Sequence, residues 1–91
     1  MAEEKILTKH PLGKSGKNIS KQKYDIMKNV LMEVLTGNEL THDELMVLVN
    51  NRLKGRFTGN ISWYAETVKL DLEARKIIKR TAQKPQTYTV Q

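Results

Sequence analysis

The sequence contains no cysteine and only two prolines among its 91 residues. The absence of cysteine excludes disulfide bonds, zinc sites with thiolate ligands and thiol catalysis, so the fold must be stabilised by packing alone. Long hydrophobic runs are also absent, because the longest aliphatic stretch covers only residues 45–49. Such a run is too short for a membrane span and is not placed like a signal peptide. We therefore expect one small, cytoplasmic domain.

Charge is distributed unevenly along the chain, which carries 16 basic and 10 acidic residues and a net charge of +6. Residues 30–51 contain four acidic residues and no basic one, whereas the segments before and after them are net positive. The sequence therefore predicts a protein with basic ends and an acidic middle. This pattern is consistent with contact to nucleic acid and equally with a solvated surface.

Apolar residues recur at three- and four-residue steps in three segments, which predicts three helices. The first is capped by Ser20 and ends at Gly37, and the second begins with a capping box from Thr41 to Glu44. The third is expected to be capped by Ser62 and to run to about residue 75. The expected buried faces are Tyr24, Met27, Val30, Leu31, Val34 and Leu35 in the first helix, Leu45, Leu48, Val49 and Leu53 in the second, and Ile61, Tyr64, Ala65, Val68 and Leu72 in the third.

Residues 77–81 and 87–90 are β-favouring runs on either side of a polar turn, which predicts a C-terminal hairpin. A short strand is expected at residues 39–41. Three helices followed by a hairpin predict a mainly helical α+β fold of the winged-helix type over residues 20–91. The alternative, a three-helix bundle with a disordered tail, would lack the β-branched run. Residues 1–19 are expected to be an arm, with a short strand at 5–8 and a basic loop without regular structure at 9–18.

The segment WYAETVKLDLEA at residues 63–74, followed by Ile78 and the turn at Lys84 and Pro85, resembles a small family of uncharacterised prokaryotic proteins of winged-helix type. The segment HPLGKSGKNISKQKYD at residues 10–25 is similar to the opening of that family, so the resemblance covers most of the chain. It implies the winged-helix fold. No activity is assigned to the family, so the resemblance implies no function.

The sequence carries no pattern that indicates catalysis, a metal or a cofactor. Residues 13–15 match the end of a phosphate-loop motif, but Thr8 replaces its leading glycine and Pro11 removes an amide from the cradle. His10 and His42 lie in different segments and lack the spacing of a zinc site, and no serine has a histidine base nearby in sequence. We therefore expect a non-enzymatic protein without a metal, cofactor or small-molecule substrate.

The third helix is predicted to be apolar on two sides. Acids and lysines at positions 66, 69, 73 and 76 form one arc and should neutralise one another. The arc opposite the core must be covered, either by the N-terminal arm, Ile6 and Leu7 especially, or by the C-terminal hairpin, or by a second protein, most simply another copy of the chain. The interface candidates on this arc are Trp63, Thr67, Leu70 and Ala74.

Basic residues outside the third helix are candidates for contact with duplex DNA. The third helix itself exposes no Arg, Asn or Gln that could pair with base edges, and its acids repel phosphates. We expect weak, salt-sensitive binding to the DNA backbone by a regulatory protein, or alternatively a homodimeric or heteromeric protein-interaction domain. The nucleic-acid candidates are Lys14, Lys17, Lys21, Lys23, Lys79, Arg80 and Lys84.

Overall fold

A computed structural model describes residues 4–91 of the chain, so the first three residues of the predicted arm lie outside the described part. Over this range the chain forms three helices and two small antiparallel sheets, which confirms the α+β class. In chain order the elements are β1 (Lys5–Leu7), β2 (Asn18–Ser20), α1 (Lys21–Leu35), β3 (Leu40–Thr41), α2 (His42–Leu53), α3 (Ile61–Ala74), β4 (Ile78–Arg80) and β5 (Thr87–Val90).

The helix starts follow the predicted capping signals, with one correction. Ser20 Oγ accepts a hydrogen bond from the Lys23 amide at the start of α1, and the capping box of α2 is present in both directions. The third helix is capped by Asn60 and not by Ser62, because Asn60 Oδ1 accepts from the Trp63 amide at 2.9 Å. Ser62 already lies inside the helix, where its hydroxyl accepts from the side-chain amide of Asn50. The helix therefore begins at Ile61.

The hydrophobic core lies between the three helices and the larger sheet. Most of the predicted buried residues are confirmed, but Val30, Ile61 and Tyr64 are only partly buried and Leu48 remains 38% exposed. Leu48 lies about 100° from the centre of the arc formed by the other buried residues of α2, so it points away from the core. The buried hydrophobic residues are Ile19, Tyr24, Met27, Leu31, Val34, Leu35, Leu45, Val49, Leu53, Ala65, Val68, Leu72, Ile78 and Tyr88.

The larger sheet contains the C-terminal hairpin, which we define as residues 78–90. β4 and β5 pair antiparallel with Ile78 opposite Val90 and Arg80 opposite Tyr88, as predicted. The predicted short strand is also present, because β3 pairs with the other side of β5 and places Leu40 opposite Tyr88. The strand order is therefore β3-β5-β4, with the hairpin joined to the segment that precedes α2.

The N-terminal segment is an ordered hairpin, which we call the strap and define as residues 5–20. Here the expectation of an irregular loop through residue 18 is wrong at its end, because Asn18 begins β2 and pairs with β1. The register places Ile6 opposite Ile19, and Ile19 is buried in the core with Ile6 packed against it. Burial of Ile19 favours the strand, since an extended residue directs its side chain to one face of the paired strands.

Gly16 permits a close contact between the two sides of the strap at Thr8 and Lys17, which we call the neck of the strap. The Thr8 amide donates to the Lys17 carbonyl at 2.8 Å, and the Lys17 amide donates to Thr8 Oγ1 at 2.8 Å. A Cβ atom on Gly16 would lie only 1.6 Å from the Thr8 carbonyl oxygen, which is a backbone atom. The two sides of the strap can approach this closely only because residue 16 has no side chain.

Replacing Gly16 with alanine should disrupt the strap. Because the new methyl group meets backbone and not a flexible side chain, we expect the free energy of unfolding to fall by more than about 2 kcal/mol. Urea denaturation would measure this loss, with Ser15→Ala in the exposed part of the same loop as the matched control. Equal midpoints for the two variants would contradict the close contact at the neck.

Candidate nucleic-acid interface

A fully buried carboxylate joins the strap to two helices. Asp71 on α3 has no exposed surface, and its oxygens accept hydrogen bonds from the Tyr24 hydroxyl of α1 and the Lys9 amide of the strap. The Lys9 contact measures 2.8 Å. Arg75 Nε, one turn further along α3, lies 3.0 and 2.9 Å from the two carboxylate oxygens and supplies the compensating charge. A buried carboxylate with this many partners fixes the position of all the groups around it.

The buried environment of Asp71 also changes the pKa of Tyr24, whose hydroxyl donates to it. Burial raises the pKa of the Tyr24 hydroxyl above its ordinary value of 10.0, and the hydrogen bond to Asp71 raises it further. Burial disfavours the charged phenolate, and the hydrogen bond favours the neutral hydroxyl that donates to Asp71. Tyr24 is therefore held in its protonated, donating form.

The strap lies across the outer face of α3. Thr67 is buried and Leu70 and Ala74 are partly buried, and a gap of only about 70 Å³ separates the strap loop from Thr67 and Leu70. The cover comes from the loop between β1 and β2, whereas Ile6 packs on the core and Leu7 is 65% exposed. Of the four interface candidates, only Trp63 is exposed.

An open groove of about 490 Å³ runs between the strap and the C-terminal hairpin. The strap forms one wall and Arg80 of the hairpin lies at the other, while α3 provides the floor. Two predicted nucleic-acid candidates, Lys14 and Arg80, are thereby brought to the same groove. The residues that line it are His10, Pro11, Leu12 and Lys14 from the strap, Glu66, Leu70 and Glu73 from α3, and Arg80.

The other hairpin candidates do not all face this groove. Side chains alternate along a strand, so Lys79 lies on the opposite face of the sheet from Arg80. Arg80 is engaged within the protein, because its Nη2 lies 3.1 Å from Glu73 Oε1 and its guanidinium lies 5.3 Å from the centre of the Tyr88 ring. Lys84 is exposed in the turn of the hairpin. The hairpin thus offers two exposed lysines, neither of which lines the groove.

The basic residues near the start of α1 are separated from the groove. Lys21 forms an ion pair with Asp25 at 2.9 Å, one turn along α1. Lys23 Nζ lies 5.2 Å from the Tyr64 ring centre and 6.0 Å from that of Phe57. Lys17 remains exposed at the neck of the strap. The predicted set of seven basic residues therefore does not form one continuous patch.

Lys69 does not belong to an exposed, self-neutralising stripe as predicted. Its side chain is only 2% exposed, and its ammonium lies 4.0 Å from the Tyr88 ring centre and 3.2 Å from His42 Nδ1. The expected pairing with Glu66 is present at 3.5 Å. Docking of the hairpin on α3 buries the lysine, because its ammonium lies against the Tyr88 ring of the hairpin and against His42 of α2. Glu73 pairs with Arg80 instead of with a lysine of its own helix.

Three aromatic side chains form a row that the sequence patterns did not indicate. The rings of Trp63 and Phe57 each meet Tyr64 edge-on, with centroid distances of 4.9 and 5.2 Å. We call Phe57, Trp63 and Tyr64 the aromatic row. Five of the 91 residues are aromatic, and the separation of Phe57 from α3 by a loop hides their proximity in the sequence.

The described part of the chain contains neither a membrane-spanning helix nor a cluster of metal-binding side chains. Within residues 4–91, no helix is both long and apolar enough to cross a membrane. Among the same residues, no group of three or more histidine, aspartate or glutamate side chains is arranged to hold a metal ion.

A comparison with models of protein families finds a match over most of the chain. The model of a protein family described as a family of unknown function (DUF6958) matches residues 5–88, which include the strap, the three helices and most of the C-terminal hairpin. None of the curated proteins and none of the solved structures matches the chain.

The raised pKa of Tyr24 predicts a specific loss of stability in alkali. The unfolded chain releases the phenolic proton near pH 10, whereas the folded protein retains it, so the contribution of Tyr24 is present below about pH 10 and is lost as the pH rises further. Above that pH, the free energy of unfolding of the wild type should fall more steeply than that of Tyr24→Phe, by a slope equivalent to about one proton. Urea denaturation at several pH values measures both slopes; parallel curves would contradict the assignment.

Proposed function

Since the chain belongs to DUF6958, a family of unknown function, we propose its function from its geometry: a non-enzymatic winged-helix domain that associates with duplex DNA. The winged-helix assignment is supported by the order of the elements, in which β3 separates α1 from α2 and the hairpin follows α3. It is supported further by the strand order β3-β5-β4, which joins the hairpin to the helical body. In this reading the C-terminal hairpin is the wing.

The strap determines which surface of the domain can contact DNA, because it covers the outer face of α3. In a helix-turn-helix protein the outer face of the recognition helix enters the major groove of DNA. Here that face is apolar and lies under residues 8–17, so α3 does not read bases. Binding instead uses side chains that reach phosphates, which gives affinity without strong sequence preference.

The proposal rests on the position of the strap loop, which carries lysines and lies beside the wing. Lys14 of the strap and Arg80 of the wing line one groove, with the exposed Lys17 at the neck of the same strap. All the acids of α3 are already paired, Glu66 with Lys69, Asp71 with Arg75 and Glu73 with Arg80. The unpaired charge that this side presents to a phosphate backbone is therefore positive.

Replacing Lys14 and Lys84 together with glutamine should weaken binding to a random-sequence duplex. If each lysine neutralises one phosphate, the slope of log affinity against log salt should become shallower by up to about two units. The charge-matched control is Lys28→Gln on α1 with Lys54→Gln at the end of α2, neither of which lines the groove. Fluorescence anisotropy of a labelled duplex at several salt concentrations measures both variants. Absence of binding at low salt, or equal losses in the two variants, would contradict the proposal.

A second candidate function is a protein-interaction domain. It is favoured by two neighbouring apolar side chains on the outer face of α2, Val47 at 59% and Leu48 at 38% exposure. Both lie close in sequence to Asp43 and Glu44, within the acidic middle of the chain. Exposed apolar side chains in a charged surrounding are typical of association surfaces.

Light scattering of the purified protein tests this second function. If α2 mediates self-association, the wild type should be dimeric and Leu48→Glu should be monomeric with an unchanged circular dichroism spectrum, since Leu48 lies outside the core. Leu70 is unsuited to this test because the strap covers it. A monomeric wild type at high protein concentration would remove self-association through α2.

A further inference from the structure

The aromatic row forms a prearranged surface at the N-terminal end of α3. Trp63 is 43% exposed and meets the partly buried Tyr64 edge-on, while Phe57, also partly buried, packs edge-on against Tyr64. Gly59 allows this packing, because a Cβ atom there would lie 3.0 Å from the Tyr64 ring, and its φ of +119° favours glycine. The indole is thus positioned by rigid neighbours while part of its surface stays in solvent.

Cationic groups adjoin the aromatic row. Lys23 reaches over the Tyr64 and Phe57 rings from α1, and Arg56 is exposed in the connection that leads to α3. Together with Phe57 they line a cavity of about 200 Å³, and none of the residues recorded along its wall is acidic. The first turn of α3 likewise carries no acid, so the positive end of the helix dipole is not neutralised locally.

An exposed indole next to a ring that carries a lysine over it matches the chemistry of an unpaired nucleotide. The flat face of a nucleobase stacks on an aromatic ring regardless of its sequence, and the adjoining phosphate is neutralised by Lys or Arg. A protein partner would use the apolar area of Trp63 equally well, but it gives no reason for the adjoining cavity at Phe57, whose lining includes Lys23 and Arg56 and no acid. A duplex keeps its bases stacked inside and offers no free face to the indole.

We propose that Trp63, in edge-on contact with Tyr64, is a binding site for an unpaired nucleobase in single-stranded nucleic acid, and that Lys23 and Arg56, beside Tyr64 and Phe57, bind the adjoining phosphate backbone. The residues of this site are distinct from those that line the strap groove, of which Glu66, one turn from Trp63 on α3, is the nearest in sequence. It therefore does not depend on the proposed duplex contacts.

The chain contains a single tryptophan, so its own fluorescence reports on this site. Titration with an oligothymidylate of about ten nucleotides should quench the emission of Trp63, because a stacked base contacts the indole directly. An oligouridylate of the same length distinguishes RNA from DNA as the source of the base, and tighter binding of either supports the site. A blunt-ended duplex hairpin with a closed, fully stacked loop should quench much less.

Substitutions distinguish base stacking on Trp63 from general electrostatic attraction of the oligonucleotide. Trp63→Leu should weaken binding of a labelled oligothymidylate by about tenfold or more, whereas Trp63→Phe should retain most of the affinity. Arg56→Gln should make the salt slope shallower by up to about one unit. Leu7→Ala, which alters an apolar side chain that is 65% exposed and lies outside both proposed sites, is the matched control and should leave this affinity unchanged.

Several results would overturn the site. These are the absence of quenching at low salt, equal affinities of Trp63→Leu and the wild type, and equal quenching by the duplex hairpin. Conversion of a wild-type dimer into monomers by Trp63→Leu, without any binding of the oligonucleotides, would identify Trp63 as a protein interface instead. Loss of duplex binding in the Lys14 and Lys84 double variant, with single-strand binding intact, would show that the two sites are independent.

Discussion

The buried carboxylate of Asp71 is the interaction on which the arrangement of this domain depends. A charge without exposed surface is tolerated only when its oxygens are fully hydrogen-bonded and an opposite charge is near, and Tyr24, Lys9 and Arg75 meet these conditions. Because the three donors belong to α1, to the strap and to α3, satisfying one side chain requires all three segments to be in place. The strap is thereby a part of the folded body.

This requirement determines what the third helix can do. With Ala65, Val68 and Leu72 in the core and Thr67 under the strap, α3 is enclosed on two opposite faces. The side chains that remain accessible for binding therefore lie near the two ends of α3 and not along its outer face. At one end the strap and the hairpin present lysines, and at the other the aromatic row presents Trp63.

The sequence predicted those parts of the structure that local signals determine. The capping box at Thr41, the turn between two β-favouring runs and the periodicity of the helices are short-range patterns, and each was confirmed. The burial of Lys69 and Asp71 depends on partners far along the chain, Tyr88 and Tyr24, so no local pattern reveals it. One signal was nevertheless present: Asp71 lies only about 20° from Tyr64 on the helical wheel, at the border of the core arc. For the candidate sites, the sequence indicated the basic residues and Trp63 but not which of them the fold brings together.

The position of the strap in the chain has a consequence for folding. The hydrogen bond from Lys9 to Asp71 spans 62 residues, and that from Tyr24 to Asp71 spans 47. Closing loops of this length costs conformational entropy before the contacts can form, so folds that rely on such contacts assemble more slowly than helical bundles with local contacts. On a ribosome, the strap must wait for α3 to be synthesised before Lys9 has a partner. Until then the newly made α1 has neither the carboxylate for Tyr24 nor the helix that covers its core side.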